Sequence, residues 1–535
     1  MTQAMIVAPQ PEAVEEGAII LKNGGNAVDA AIACALVQTV VDPQMCGLAG
    51  FGTMQLYLPS LNHHGFIDFH TTAPASVRED MWQDLIEGEA RDGFGFFLKG
   101  RVNEVGYQSV MTPGSLLAYC EAASEFGTMD WKDIIQPAIE HAQQGFFVRP
   151  HVHEFWTKPL DFGRVPTSDK LGFTEAGRKI YFNEAGNLLG LGSRVVNPDM
   201  ARSLMRIQQG GADIFYNGDM AEEIDADMKK HGGYLSREDL KSYKTKRIEP
   251  LWGEYRGYRI ATNQPPGGGI MILEMLHLLD HFDLAAMNHN SPEYIRTVTE
   301  AMKYATIDKD MKVGDPEFVD VPIDELLSKD YAAGLAQRIR RGERANVVRM
   351  ESGEPSKDTT HICVIDTHGN AVTMTHSLGM PSGVITEGLG FMYNGCISVF
   401  DPRPGRVGSL SPGKRRFTAM SPTIVFKGDE PYIIIGAPGG TFITMGILQG
   451  ILNVIDFGMN MFEAVAAPRF TANSNTIDVS NRIPRFVTRE LEQMGYPVAR
   501  NYHSYPFAGV HGIRIRDGKL DGGADPGRDG MALAV

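Results

Sequence analysis

The chain predicts an α+β fold in which helix-forming and strand-forming stretches are segregated along the sequence. Two observations carry this. Residues 115 to about 345 place charged and apolar side chains at helical spacing, as in AEEIDADMKKHGG and SPEYIRTVTEAMKYATIDKDM. From residue 359 onward the composition turns to β-branched, alternating segments. At about 150 residues per domain, 535 residues suggest about three units, although a layered fold can absorb that length as one body.

Residues 11–41 read as helical, broken at Gly24-Gly25-Asn26, with Asp29 placed to cap the buried run AAIACALVQTVV. Gly47-Leu-Ala-Gly50-Phe-Gly52 then precedes the strand-like TMQLYLP. A dinucleotide fingerprint needs its glycines to link strand to helix, so close backbone packing is the better reading here. A strand-like stretch at 255–262 leads into the turn that starts at Pro265-Pro266. Residues 342–358 are polar and turn-rich and read as an exposed linker. Residues 359–366 and 371–378, joined by Thr367-His-Gly-Asn370, make a hairpin. Strands are expected at 422–426 and 432–436, and helices at 442–455 and 462–467.

The charge balance excludes whole classes of partner. With 50 Lys and Arg against 65 Asp and Glu, the net charge is −15. An acidic surface repels phosphate backbones and anionic lipid, so neither nucleic acid nor membrane is expected as a partner. The five cysteines form no CxxC pair, which suggests reduced thiols in a cytoplasm rather than a disulfide framework. No basic stretch followed by an apolar one opens the chain, and the longest apolar run, residues 30–41, is too short to span a bilayer. A soluble, cytoplasmic protein is expected.

Four kinds of motif bear on the chemistry. Ser411-Pro-Gly-Lys414 matches SxxK, but that chemistry needs serine and lysine one helical turn apart, and Pro-Gly is poor helix material. His151-Val-His153-Glu154 lacks HExxH spacing and reads as polar surface. No GxSxG elbow occurs. The fourth lies where the linker enters the hairpin, at Asp358–Thr359. A turn centred between His368 and Gly369 sets Thr359 beside about Leu378, with Thr375 and Ser377 on one face and the Gly379 bend close by. Spacing alone also fits a generic threonine-rich hairpin.

A family resemblance bears on that choice. The stretch DTTHICVIDTHGNAVTMTHSLG resembles the start of the small subunit in γ-glutamyltranspeptidases, which are N-terminal nucleophile (Ntn) hydrolases. GAIILKNGGNAVDAAIACALVQTVVDPQMCGLAGFG, TPGSLLAY, YRGYRIATNQPPGGG, RRFTAMSPTIVF and GAPGGTFIT resemble further family segments in the same order, over nearly the whole chain. The resemblance implies a four-layer αββα sandwich. It also implies a precursor that cuts its own Asp358–Thr359 bond. Residues 1–358 become a large subunit and 359–535 a small one, an αβ heterodimer that remains one structural unit, with a dimer of such heterodimers left open. Thr359 would supply nucleophile and base, Ser377 would orient it, Thr375 would assist from the same strand, and backbone N–H groups at Gly439-Gly440 would form the oxyanion hole. No cofactor or metal is implied.

The family's substrate clamp is altered. His70, in Phe69-His70-Thr-Thr-Ala73-Pro74, stands where the family has an arginine for the α-carboxylate. Gly379 replaces an asparagine, Cys396 and Val399 replace the glutamine and aspartate that hold the α-amine, and Thr418-Ala419 replace paired serines. A small amide that is not γ-glutamyl is therefore the expected substrate, resembling those of cephalosporin acylases or oxamate amidohydrolase. His70, His376 or the Lys414-Arg415-Arg416 run could meet a substrate carboxylate; the run also reads as a solvated loop. A γ-glutamyl hydrolase or transpeptidase, a scaffold homologue that never cleaves, and a serine SxxK enzyme are the competing readings.

Overall fold

Asp366 sets the register of the central hairpin. Its Oδ1 accepts the backbone N–H groups of His368 at 2.8 Å and Asn370 at 3.0 Å, an Asx-type turn that fixes where the chain reverses. In the computed structural model, which describes residues 3–91, 93–158, 164–349 and 359–535, the strands Thr360–Ile365 and Ala371–Ser377 leave this turn antiparallel. Thr360 pairs with His376 and Ile365 with Ala371. The turn is thus centred on His368 itself, and Thr359 continues the ladder opposite Ser377 instead of Leu378. Asp366, bonding the backbone two and four residues on, is the cause of that shift.

The hairpin lies in the middle of a seven-stranded antiparallel sheet, in the order Gly530–Ala534, Met5–Pro9, Thr360–Ile365, Ala371–Ser377, Phe51–Leu58, His63–Phe69, Lys246–Ile248. A second, six-stranded antiparallel sheet runs Lys519–Ala524, His511–Arg516, Glu430–Gly436, Thr423–Lys427, Tyr258–Thr262, Leu251–Tyr255. Both sheets mix strands from before and after residue 358. The expected interruption at 255–262 is in fact the hairpin of the last two strands, closed by Arg256 and Gly257 in left-handed conformations.

Strand alternation sorts side chains into the layers. Ile362, Val364, Val372 and Met374 face outward against the helix Ala27–Val41, all of whose residues are buried. Cys363, Ile365 and Ala371 face inward against Ile424, Ile434 and Ile513 of the second sheet. That sheet's outer face, through Val425, Ile433 and Ile435, packs on the helices Gly269–Leu279 and Ile443–Ile455. The result is helix, sheet, sheet, helix: the αββα sandwich. Among the described residues no helix is long and apolar enough to cross a membrane.

Three local expectations change. The Ala27–Val41 helix is capped by Asn26, whose side chain accepts from Val28 and Asp29 N–H, while Asp29 reaches back to Asn26 N–H. Asp29 is therefore the third helical residue of a capping box, not the cap. His151 lies on the helix Pro150–Thr157 and is buried rather than on a polar surface. The glycines before TMQLYLP do bring backbone close: a Cβ on Gly50 would lie 2.4 Å from Ser377 O, and one on Gly52 2.3 Å from Thr375 O. They let the Phe51–Leu58 strand seat directly against the hairpin.

Candidate active site

Period-two alternation puts Thr359, His361 and Cys363 on the inter-sheet face, along with Thr373, Thr375 and Ser377 of the neighbouring strand. Deep between the sheets these polar side chains pair with one another. His361 contacts Thr375 Oγ1 through Nδ1 at 2.8 Å and Thr373 Oγ1 through Nε2 at 3.1 Å. Burial, then the neighbouring His511 and His376, pushes the His361 pKa well below its ordinary value, so the ring is neutral. Thr375 is thereby committed to His361, one rung in from Thr359.

At the end of the strand the sheets part and a narrow pocket opens. Thr359, Gly379, Thr418 and Gly440 line it, with Arg416, Val399 and Thr441 among their neighbours. Thr359 is only 3% exposed, and its Oγ1 lies 3.2 Å from Ser377 Oγ. Ser377 Oγ also accepts Gly379 N–H at 2.7 Å, so one set of contacts joins the Gly379 bend to Thr359. Gly379 has φ 76°, a left-handed bend, and a Cβ there would lie 2.6 Å from Cys396 Sγ and 3.0 Å from Arg416 Nη2. The space an asparagine would need is occupied. Gly439, at φ 141°, and Gly440 form the turn between the strand Glu430–Gly436 and the helix Ile443–Ile455. Gly440 is the member of that pair on the pocket wall.

Two expected substrate contacts are placed elsewhere. His376 alternates to the helical face, where its Nδ1 accepts from Tyr119 Oη and its Nε2 donates to Gln38 Oε1, both at 2.8 Å. Burial lowers its pKa to about 3. It is a neutral core histidine, and sharing a strand with Ser377 at adjacent positions is what turns it away. His70 is buried and bonded through Nδ1 to Asp68, and is not among the residues lining the pocket.

The Lys414-Arg415-Arg416 run is no solvated loop: all three side chains are buried. Lys414 Nζ donates to the carbonyls of Val407 and Ser409, both at 2.9 Å, which also removes it from any SxxK role. Arg415 joins Asp68 (Nη1–Oδ2, 2.8 Å) to Asp315 (Nη2–Oδ1, 2.6 Å). Burial alone would raise the Asp68 pKa; His70 and Arg415 overcome it and hold the carboxyl at about 2. Arg416 turns the other way, into the pocket wall. Sequence reading passed over Asp68 and Asp315; two acids separated by hundreds of residues give no local signal of a shared partner.

Comparison with known proteins agrees with this architecture. The Gamma-glutamyltranspeptidase family model matches residues 13–535. The chain is 34% identical over 541 residues to the Acylase ACY 1 proenzyme of Pseudomonas sp. (strain V22), covering 100% of this chain and 94% of that protein. It is 32% identical to the Glutathione hydrolase proenzyme of Bacillus subtilis (strain 168), covering 99% and 91%. The crystal structure of cephalosporin acylase from Bacillus halodurans superposes with a TM-score of 0.87 at 28% identity, over 99% of this chain and 95% of that one. An αββα sandwich with a hydroxyl pair at the mouth of its inter-sheet layer, and a family match over all but the first twelve residues, lead to one assignment: the chain belongs to the γ-glutamyltranspeptidase family.

Proposed function

We propose that the chain is a self-processing amidohydrolase that hydrolyses a small, non-γ-glutamyl amide through an acyl-enzyme on Thr359. The observation that carries the reading is the Thr359–Ser377 pair, 3.2 Å apart in a pocket shared with Gly440. Asp358, on the other side of the scissile bond, lies outside the described residues. Cleavage there would free the Thr359 α-amine. Such an amine has an unperturbed pKa of about 7.7–8.0, close enough to neutral to take the hydroxyl proton without a histidine.

The steps then balance. The neutral amine accepts the Thr359 Oγ1 proton as the oxygen attacks the substrate carbonyl. Ser377, donating to Oγ1, holds it in line, and the Gly439 and Gly440 N–H groups receive the developing oxyanion. The α-ammonium returns its proton to the leaving amine nitrogen, the C–N bond breaks, and an ester on Thr359 remains. Water, deprotonated by the same amine, cleaves the ester and restores the threonine. After cleavage the two fragments stay together, because the Thr360–Ile365 strand is paired on one side by Met5–Pro9 of the large fragment.

The pocket lining supports the substrate reading. It contains no aspartate, glutamate, asparagine or glutamine among the described residues, so a substrate α-ammonium would have no anionic partner. The name of the Bacillus subtilis relative makes glutathione hydrolysis the competing reading. Intact mass and N-terminal sequencing of the purified protein test the processing: a C-terminal fragment beginning TTHIC is expected, and a single uncut chain favours the non-cleaving scaffold. γ-Glutamyl-p-nitroanilide tests the substrate: turnover as fast as that of simple acyl anilides would reinstate the γ-glutamyl reading.

Ser377→Ala is expected to leave Gly379 N–H unpaired and Thr359 unoriented. Losing such a buried partner costs about 1–3 kcal/mol, a roughly 5- to 150-fold fall in kcat/KM measured on the processed enzyme. An unchanged rate would remove Ser377 from the mechanism.

A further inference from the structure

We propose that Arg416 is the specificity-determining residue of this pocket: it binds a carboxylate at the far end of the substrate's acyl chain. The substrate is then an amide of a short dicarboxylic acid, carrying one free carboxylate and no amine on the acyl part. This rests on the reading above, in which Thr359 is the acylated group. It places the carboxylate partner at a position of the chain different from that of the arginine for which His70 substitutes.

Three observations converge. Arg416 is 3% exposed and charged, yet no carboxylate pairs with it among the described residues. Its Nη1 donates to Phe417 O at 3.1 Å, its Nη2 reaches only Cys396 Sγ at 3.9 Å, and its Nε has no partner. The guanidinium lies over the Phe51 ring, 4.7 Å from the centroid, which holds it in place without neutralising it. Its neighbours show the contrast: Lys414 is satisfied by two carbonyls and Arg415 by two aspartates. A buried cation left without an anion is unfavourable, and an anionic ligand is what completes it.

The second observation is place. Arg416 lines the same pocket as Thr359. Gly379 links the two: its missing Cβ would lie 3.0 Å from Arg416 Nη2, its N–H bonds Ser377 Oγ at 2.7 Å, and that oxygen is 3.2 Å from Thr359 Oγ1. A short acyl chain therefore spans from the carbonyl under attack to the guanidinium. The third is the wall between them. Phe94, Val399, Ala419, Met420 and Ile443 supply apolar surface suited to methylenes, and among the described residues no acidic side chain lines the pocket that could hold an amine.

The test compares three p-nitroanilides on the purified, processed protein: glutaryl, its methyl ester, and γ-glutamyl. They differ by one negative charge and by one amine. Wild type is expected to favour glutaryl over the ester by about 100-fold in kcat/KM, the scale of a buried charge pair, and over γ-glutamyl as well. Arg416→Gln is expected to abolish the preference over the ester, and Arg416→Lys to retain part of it. Self-cleavage, read by intact mass, reports whether each variant has folded; should Arg416→Gln fail to process, the Arg416→Lys and wild-type ratios decide. Equal wild-type rates on glutaryl and its ester, or a full preference surviving in Arg416→Gln, overturns the role of Arg416. In that event an acyl adduct on the fragment beginning at Thr359 shows that the amidohydrolase reading still stands. Absence of that fragment and of any adduct overturns the amidohydrolase reading itself.

Discussion

Thr359→Ala is expected to remain a single chain of 58.7 kDa, whereas the wild type is expected to separate under denaturing conditions into pieces of about 39 and 19 kDa. The variant should also hydrolyse no amide, with activity down by at least about 10⁴-fold, because one hydroxyl serves both reactions. On the proposed mechanism the Thr359 oxygen attacks the carbonyl of the preceding residue in the precursor and the substrate in the mature enzyme. Ser377 is positioned to orient it in both, through the same 3.2 Å contact. Thr359→Ser keeps the oxygen but loses the methyl that restricts its rotamer, so slower but complete cleavage is expected. Mass spectrometry over a time course separates the three proteins. A cleaved, active alanine variant would sink the mechanism. A folded but uncleaved wild type would leave the hydroxyl pair as a structural feature of the hairpin.

The sequence carried most of the fold because the fold depends on local signals. The hairpin could be read from alternation and from the polar turn after Asp366, and its register missed by one partner because the Asx bonding of Asp366 is invisible to periodicity. His376 was legible too: the parity that puts Thr375 and Ser377 on one face puts His376 on the other, where Tyr119 and Gln38 take both its nitrogens. What local pattern could not show was the sorting of Lys414, Arg415 and Arg416. Three consecutive cations look like a solvated loop. Only the fold brings Asp68 and Asp315 to one of them, carbonyls to another and, among the described residues, nothing anionic to the third. Resemblance pointed to the hydroxyl and the glycine turn; it could not point to a cation at a position where the family's clamp offers no counterpart.

The two adjacent arginines should therefore behave in opposite ways when removed. Arg415→Met leaves Asp68 and Asp315 buried without their shared partner, and breaking a buried pair in this way costs about 3–5 kcal/mol. Chemical denaturation at neutral pH should show that loss. The pH dependence gives its signature. Asp68 is held at about 2 and Asp315 below the ordinary carboxylate range, each against the opposing effect of burial. A carboxyl whose folded pKa is depressed contributes stability that is fully present above its unfolded pKa, about 3.9, and is lost as pH falls through the folded value. Wild type should therefore lose this contribution between about pH 4 and pH 2. In Arg415→Met the carboxyls no longer gain from the guanidinium, so the deficit should shrink across that same window. Arg416→Gln removes a buried charge that has no anionic partner among the described residues, and should leave stability unchanged or raise it at every pH. A large destabilisation by Arg416→Gln, matching that of Arg415→Met, would mean that its guanidinium supports the fold rather than waits for a substrate carboxylate.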